Sequence, residues 1–277
     1  YWKERCDKQL KNVRFEEHGN SYKQAFIERH IQTLIEKFKS QGNLEDLKIE
    51  LNSVRYDVFR LEILELESHL NMGVVFQYLP NLTDLAITYG AKHKGMEYES
   101  SLFGMKMADA EVFSECLRTT QSLVKLSMPN NLLDYDLIKI LSRGLMLNKT
   151  ISILDFSHNK IGNSASSKIA LYLYQSKILT HLYLGDNVIH EKGARCIGDA
   201  LKVNRSLRVL DMHLNRIDDK GGMRFIQALS ERGGNKVLQE LNLRANSLES
   251  NFADALSKLL MDTGLKRIDV SCNMIKK

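Results

Sequence analysis

The stretch LTHLYLGDNVIHEKGARCIGDALKVNRS, from Leu179 to Ser206, sets the pattern for most of this chain. Its first half alternates apolar and polar residues with a period of two, as a half-buried strand does, and the alternation ends at Asn187. Its second half spaces apolar residues three or four apart, which is the period of one helical face. The stretch therefore predicts one unit of strand, turn and helix.

The frame of this unit is Leu-x-x-Leu-x-Leu-x-x-Asn-x-Leu with other apolar residues allowed at the leucine positions, and it occurs six times. Successive asparagines are 28, 28, 28, 31 and 27 residues apart, which is the spacing of leucine-rich repeats apart from one small insertion near Gly233. The asparagine points inward, so its amide is expected to bond the backbone of neighbouring turns as a structural ladder. The ladder positions are Asn131, Asn159, Asn187, Asn215, Asn246 and Asn273.

A single repeat has too few apolar side chains to offset the conformational entropy lost on ordering, so the repeats must stack on one another. Stacking gives each strand a parallel neighbour and buries each leucine layer against the next. The predicted fold class is α/β, a leucine-rich-repeat solenoid shaped like the ribonuclease-inhibitor horseshoe. Its parallel strands are expected on the concave face and its helices on the convex face.

Residues 1–78 lack the repeat frame and are expected to form a helical N-terminal cap with a degenerate first repeat, ahead of a solenoid over residues 79–277. The segment from Ser21 to Gln41 places apolar residues at helical spacing, and its apolar face is expected to seal the first leucine layer. The other elements expected here are a helix near Asn43 to Asn52, a strand containing Val58, Leu61 and Ile63, and a helix from Leu70 to Tyr78.

The strand predicted at Leu82 to Ile87 is followed by an insertion of about 13 residues within positions 89–111, where Gly90 takes the place of the ladder asparagine. A long loop inside a compact fold is usually functional or disordered, and the aromatic and apolar residues of this one argue against disorder. Contact with a partner and packing over the concave mouth both stay open. The candidate contact residues are Lys92, Lys94, Tyr98 and Phe103.

The 39 basic and 34 acidic residues give a net charge of +5 and are interspersed without a basic block, which speaks against nucleic acid as the partner. The four cysteines lie far apart, mostly where a small buried residue would fit, which favours a reduced, cytoplasmic setting. No apolar run reaches 18 residues and no signal peptide is visible, so no membrane contact is predicted. The chain begins at Tyr1 and stops just after a strand, so we expect it to be a segment of a longer polypeptide.

No motif for phosphate, dinucleotide, metalloprotease or nucleophile-elbow chemistry occurs in the sequence. We therefore expect no enzyme activity, no cofactor, no catalytic or metal site and no small-molecule substrate. The polar side chains predicted on the concave face carry both signs of charge, which suits a protein partner better than a polyanion. These candidates for partner contact are His181, Tyr183, Arg208, Asp211, His213, Glu240, Arg244, Lys266, Arg267 and Asp269.

Sequence outside the repeat frame carries a more specific resemblance. The segments Tyr1 to Cys6 (YWKERC), Phe26 to His30 (FIERH), Tyr89 to Lys92 (YGAK) and Leu102-Phe103 resemble the T-complex-associated testis-expressed family, the leucine-rich-repeat subunit five of the nexin–dynein regulatory complex of motile cilia. The resemblance implies a non-enzymatic scaffold that binds other subunits of that complex, links doublet microtubules and regulates dynein-driven motility. It also implies a location in the cytoskeleton, in the axoneme of a cilium or flagellum.

Two other functions stay open for a solenoid of this class. One is a cytosolic GTPase activator that acts through an arginine on a strand-to-helix turn, where Arg216 is predicted to lie. The other is a soluble binding module like ribonuclease inhibitor or the repeat region of immune sensors. The segment from Ser166 to Gln175 also departs from the other repeats, with Tyr172 and Tyr174 where small residues are usual, so its contacts are expected to differ.

Overall fold

The computed structural model describes residues 1–9, 14–39, 42–90, 102–230, 234–259 and 264–276. Over these residues the strands form one parallel sheet, in which each strand pairs with the next one along the chain. The predicted α/β leucine-rich-repeat solenoid is confirmed. Its strands are Arg60–Ile63 (β1), Asp84–Ile87 (β2), Lys125–Ser127 (β3), Ile153–Asp155 (β4), His181–Tyr183 (β5), Val209–Asp211 (β6), Glu240–Asn242 (β7) and Arg267–Asp269 (β8).

A helix follows each strand from β1 to β7 and returns the chain to the start of the next strand, as a parallel sheet requires. Neighbouring helices pack side by side as a second layer, and within the described residues none has the length and apolar character needed to cross a bilayer. The helices are Trp2–Gln9 (α1), Tyr22–Lys37 (α2), Leu44–Ser53 (α3), Met72–Tyr78 (α4), Met107–Thr119 (α5), Tyr135–Leu147 (α6), Gly162–Gln175 (α7), Glu191–Val203 (α8), Asp218–Ser230 (α9) and Ser250–Leu259 (α10).

The core lies between the sheet and the helices and is built from the apolar positions of the repeat frame. In the β5 repeat Leu179, Leu182 and Leu184 are fully buried. They meet the apolar stripe of α8, where Ala194 and Leu201 are also fully buried. Because every repeat contributes such a layer, the core is one continuous column along the solenoid.

The ladder asparagines bond the backbone of neighbouring repeats. Asn215 donates through Nδ2 to the carbonyl oxygen of Leu184 at 2.9 Å, and it also bonds its own turn at Met212 (2.9 Å) and His213 (3.1 Å). The equivalent bonds to the preceding repeat run from Asn131 to Ile87 (2.8 Å), Asn159 to Met128 (2.9 Å), Asn187 to Phe156 (2.8 Å), Asn246 to Met212 (2.9 Å) and Asn273 to Leu243 (2.9 Å).

The acceptor side of the ladder alternates between repeats. Asn215 Oδ1 accepts two backbone N–H bonds, from Asn187 and Ile189, both at 3.0 Å. Asn187 Oδ1 accepts only a longer bond from Ile161 at 3.4 Å. The pattern of Asn215 recurs at Asn159 and Asn273, whereas Asn246 Oδ1 is buried with no donor among the described residues.

This alternation follows the place of a left-handed backbone residue in each turn. Val188, with a φ of 55°, comes directly after a ladder asparagine, and the N–H groups on either side of it both reach Asn215. Each of these turns also has a left-handed residue directly before its asparagine, and in two other turns the second left-handed residue lies at the helix start, at Gly162 (φ 59°) and Asp218 (φ 57°). The N–H of Asn159, in the turn of Gly162, bonds a backbone carbonyl rather than the next asparagine.

Val188 is strained, because a β-branched residue in the left-handed region costs about 1–2 kcal/mol. Val188→Asn is expected to raise the free energy of unfolding in urea by about 1 kcal/mol, because asparagine tolerates this backbone and the valine is already 43% exposed. Val203→Asn is the control, since Val203 is 50% exposed in the helical backbone of α8. Equal effects of the two changes would contradict strain at Val188.

Helix α2 covers the free edge of the sheet at β1 with carboxylates instead of another strand. Glu28 Oε1 accepts the backbone N–H of Phe59 (2.8 Å) and of Arg60 (2.9 Å). Eight residues further along the helix, Glu36 Oε1 accepts the N–H of Leu64 (2.8 Å). The spacings match, because eight helical residues span about 12 Å and four strand residues about 13 Å. Because these N–H groups already donate to carboxylates, a further strand cannot pair with them.

The elements predicted for the N-terminal segment are present, but several of their boundaries differ. The amphipathic helix is α2, which Ser21 caps, but it ends at Lys37 rather than at Gln41 because Phe38 has extended backbone angles. The second helix is α3; the first strand is β1, which begins at Arg60 and so leaves out Val58, and its helix α4 begins at Met72 rather than Leu70 because Asn71 caps it. Pairing of β1 with β2 makes the sheet continuous across residue 79, so a division of the chain at 78/79 stays a prediction.

The insertion is shorter than the predicted loop over 89–111. Residues 107–111 are helical, because α5 begins at Met107, where the Asp109 carboxylate accepts the Lys106 N–H (2.8 Å) and caps the first turn. At the other end Tyr89 is buried, and its N–H donates to Asn131 Oδ1 at 2.7 Å. Residues 91–101 lie outside the described residues.

The cysteines occupy four different environments. Cys6 and Cys116 are buried as predicted, and Cys196 is half-buried. Cys272 is exposed in the left-handed turn after β8 (φ 57°), so two of the four cysteines are buried where the sequence predicted that most would be. Burial raises the pKa of the Cys116 thiol to about 11.

Candidate protein-interaction surface

The strand side chains that point away from the core form two rows across the sheet. Neighbours within a row lie on adjacent strands, whose backbones are about 4.8 Å apart. The first row contains Arg60, Asp84, Lys125, Ile153, His181, Val209, Glu240 and Arg267, and the second row contains Glu62, Ala86, Ser127, Asp155, Tyr183, Asp211, Asn242 and Asp269.

The ten predicted concave residues all lie along β5 to β8. The first row includes His181, Glu240 and Arg267, and the second row includes Tyr183, Asp211 and Asp269. The other four flank the strands: Arg208 and Lys266 come directly before β6 and β8, and His213 and Arg244 come two residues after β6 and β7.

Two apolar residues of the first row escaped the sequence analysis. Ile153 and Val209 are half-buried and lie in register on either side of His181. The sequence did mark these two residues as unusual, because both occupy the third position of the repeat frame, where the other repeats carry polar residues. Burial lowers the pKa of His181, against an opposing effect of Glu240 and with a further lowering by Arg208.

Tyr183 lies at the centre of the second row, between Asp155 on β4 and Asp211 on β6. Burial raises the pKa of its phenol, and the two carboxylates raise it further. The phenol is therefore neutral at physiological pH, and it can donate or accept a hydrogen bond beside two acceptors.

Asp211 is held by its neighbours. Its Oδ1 accepts the backbone N–H of His213 (2.9 Å) and lies 2.6 Å from His213 Nδ1, and its Oδ2 accepts Asn242 Nδ2 at 2.9 Å. A Cβ at Gly185 would overlap the His213 ring, so the glycine gives that ring its place over β5. The group is set in position before any partner arrives, which reduces the entropy lost on binding.

At the N-terminal end of the same face, four charged side chains pair with one another. Arg60 bonds Asp84 (3.0 Å) and Glu17 (2.8 Å), and Lys125 Nζ lies 3.3 Å from the same Asp84 carboxylate. The predicted list omitted Arg60 and Asp84, although both fall at the third position of the frame. Charges are also paired toward the other end of the face, where Arg267 Nη1 lies 3.2 Å from Glu240 Oε2.

Of the candidates in the insertion, Phe103 falls within the described residues. It is half-buried beside Gly90, where a Cβ would lie 3.0 Å from the Phe103 ring, so the glycine permits this contact. Phe103 thus packs at least partly on the solenoid itself. Lys92, Lys94 and Tyr98 lie outside the described residues, and their contact with a partner stays a prediction.

Comparisons with known proteins agree with the repeat frame. A family model described as Leucine Rich repeat matches residues 147–170, 175–198 and 203–225. The chain is 35% identical over 142 residues to Dynein regulatory complex subunit 5 of Chlamydomonas reinhardtii, covering 50% of this chain and 36% of that protein. It is 27% identical over 199 residues to the Mus musculus protein of the same name, covering 61% of this chain and 40% of that protein.

The chain is also 33% identical over 90 residues to the Ribonuclease inhibitor of Sus scrofa, covering 32% of this chain and 20% of the inhibitor. It spans 36% and 40% of the two dynein regulatory complex relatives, so it corresponds to less than half of each. These comparisons confirm the resemblance predicted from the sequence.

Proposed function

We propose that this chain, a leucine-rich-repeat solenoid similar to dynein regulatory complex subunit 5, is a non-enzymatic scaffold of the dynein regulatory complex in the axoneme of a cilium or flagellum. It binds other protein subunits of that complex, helps to link doublet microtubules and helps to regulate dynein-driven motility. Similarity to relatives of that name in Chlamydomonas reinhardtii and Mus musculus carries the proposal.

The geometry of the concave face supports a protein partner. From β4 to β8 the two rows combine carboxylates, a histidine, an arginine, a tyrosine and two half-buried aliphatic side chains. Protein interfaces mix such groups, with aromatic and aliphatic anchors surrounded by polar contacts. Tyr183 is the proposed anchor, because it lies between the apolar first-row residues and the positioned Asp211.

A soluble binding module is the second candidate, and the similarity to ribonuclease inhibitor favours it. It predicts a chain that is recovered from the cytosol and not from the axoneme. The GTPase-activator alternative rests on Arg216, which is exposed in the turn after β6, and no second observation points to a GTPase.

Axoneme fractionation tests the proposal. The tagged full-length protein is expressed in a ciliated cell, the membrane is removed with detergent, and the axonemes are washed with salt. We expect the protein to stay with the doublet microtubules and to be lost from them when other subunits of the complex are deleted. Recovery in the detergent-soluble fraction would instead support the binding module.

The concave contact is tested by pairing Tyr183→Ala with Asp211→Arg in the same cells. Removing the anchor and reversing a positioned charge is expected to lower recovery of the other subunits with the tagged protein by about tenfold. The matched control joins Tyr56→Ala to Asp199→Arg, because both residues are exposed away from the concave rows. Equal recovery with the two double variants would contradict this use of the concave face.

A further inference from the structure

The repeats of α6 and α7 have an unusual charge pattern. Between Leu137 and Gly185 the sequence contains six lysine and arginine residues and one carboxylate, Asp155. Asp155 belongs to the second row of the sheet, so it lies on the concave face. With the α6 N-cap Asp134 and Asp136 in its first turn included, these two repeats carry six cations and two carboxylates outside their strands, whereas the chain as a whole has nearly balanced charges.

A groove of about 430 Å³ opens where the C-terminal ends of α6 and α7 meet the turns that follow them. Its apolar lining includes Met146, Tyr172 and Ile178, and Lys149 and Lys177 lie on the same groove. Both lysines are exposed, and within the described part of the chain neither has a carboxylate within 4 Å. The groove thus offers an apolar lining with two cations that are not neutralised by described residues.

Tyr172 gives the groove a buried hydroxyl that has the Ser176 hydroxyl close by but forms no well-aligned hydrogen bond among the described residues. The Tyr172 side chain is 3% exposed. The nearby Ser176 hydroxyl accepts the backbone N–H groups of Ile178 (3.4 Å) and Leu179 (3.1 Å). Burial raises the pKa of Tyr172 to about 12, against a smaller opposing effect of Ser176, so the phenol keeps its proton. A buried donor without a well-aligned acceptor gains more from a new acceptor than an exposed one does.

Large apolar side chains are exposed at the ends of the same two helices. Leu147 is the last residue of α6 and is 59% exposed, and Tyr174 in the last turn of α7 is 54% exposed. Exposed apolar groups around a groove are a mark of an interaction surface. They extend the apolar area beyond what the groove alone would offer a partner.

We propose that this groove docks an acidic segment of a protein partner. An apolar side chain of the segment enters the groove, a carbonyl or carboxylate oxygen accepts from the Tyr172 hydroxyl, and carboxylates on either side meet Lys149 and Lys177. The apolar lining and the buried phenol favour a peptide over a phosphate group, which would place its charge against carbon. The inference adds a second contact surface to the proposed scaffold, on the edge of the solenoid where α6 and α7 lead into the next strands.

Binding is measured by fluorescence anisotropy, with the full chain titrated into a labelled synthetic peptide of glutamates with leucine and phenylalanine at helical spacing. The same peptide with lysine for glutamate is its counterpart. The acidic peptide is expected to bind at least about tenfold more tightly than the basic one, with an affinity that falls as salt is added. Equal binding of the two peptides, or no binding of the acidic one, would overturn the proposal.

Two variants locate the binding. Lys149→Glu with Lys177→Glu is expected to weaken binding of the acidic peptide by about tenfold. Tyr172→Phe is expected to weaken it by about fivefold while leaving Tm nearly unchanged, because the hydroxyl forms no well-aligned hydrogen bond in the free protein. The charge control is Lys192→Glu with Lys220→Glu, exposed lysines in the first turns of α8 and α9. If both groove variants bound the acidic peptide with wild-type affinity, or if the control lost as much affinity as they did, the peptide would not bind in this groove.

Other anions are tested in the same titration. Vesicles of phosphatidylcholine with phosphatidylserine and an oligouridine RNA are expected to displace the acidic peptide less well than unlabelled peptide does. Tighter binding of either one would replace the peptide with a membrane or an RNA as the occupant. Axonemal retention is read separately in cells, so a failed titration leaves the scaffold proposal standing, and failed retention leaves the groove standing.

Discussion

Replacing Asn215 by alanine is expected to lower the free energy of unfolding by about 3–5 kcal/mol. The change removes a side chain that accepts two backbone N–H bonds and donates to three carbonyl oxygens. Buried N–H groups that lose their partner cost about 1–3 kcal/mol each. The loss falls at a junction between repeats, where a solenoid has only nearest-neighbour contacts to hold it together.

Asn187→Ala is the matched comparison, because Asn187 lies in the adjacent repeat and makes the same kind of donor bonds. It accepts one long N–H bond where Asn215 accepts two short ones, so its replacement is expected to cost about 1–3 kcal/mol less. Urea denaturation followed by circular dichroism measures both losses. If Asn215→Ala and Asn187→Ala lowered the free energy of unfolding equally, the difference in accepted bonds between alternate ladder asparagines would be contradicted.

Glu28→Ala is expected to cost about 3–5 kcal/mol as well, for a different reason. The Glu28 side chain is 1% exposed and pairs with His18, which is also buried. Its removal leaves that histidine and the N–H groups of Phe59 and Arg60 without their acceptor. We expect faster amide hydrogen exchange at residues 59 and 60, because the edge of β1 opens first.

Glu36→Ala is the control for Glu28, because Glu36 caps the same strand edge from the same helix but is only half-buried. It satisfies one edge N–H rather than two, so its loss is expected to cost about 1–2 kcal/mol. Glu28→Gln keeps an acceptor oxygen and should fall between the two alanine variants. A cost at Glu36 equal to that at Glu28 would contradict the central place of Glu28 in the cap.

The repeat frame predicted most of the fold because its leucines and asparagines repeat the same local chemistry at a nearly fixed spacing. The strand predicted around His181 and Tyr183 is β5, and each later strand falls at the same point of its repeat. The frame could not predict the contact of Glu28 with β1, because that bond joins residues 31 positions apart in a segment without repeats. Long-range contacts of single side chains leave no periodic signal.

The candidate surface was predictable only in part. The frame placed Tyr183 and Asp211 on one face, but it could not show that His213 and Asn242 hold Asp211 in position. Tyr172 was visible as a departure from the other repeats, whereas the burial of its hydroxyl depends on the packing of the folded chain. The sequence thus identified unusual positions, but the burial and hydrogen bonds of their side chains could be seen only in the folded structure.

Cryo-electron tomography of axonemes, with and without this protein, tests the scaffold proposal most directly. Averaged doublets from cells that lack the protein are expected to lose a solenoid-sized density from the link between neighbouring doublets, and a tagged protein should restore it with the tag at that place. A link that is unchanged in the absence of the protein would contradict its role as a scaffold of the dynein regulatory complex.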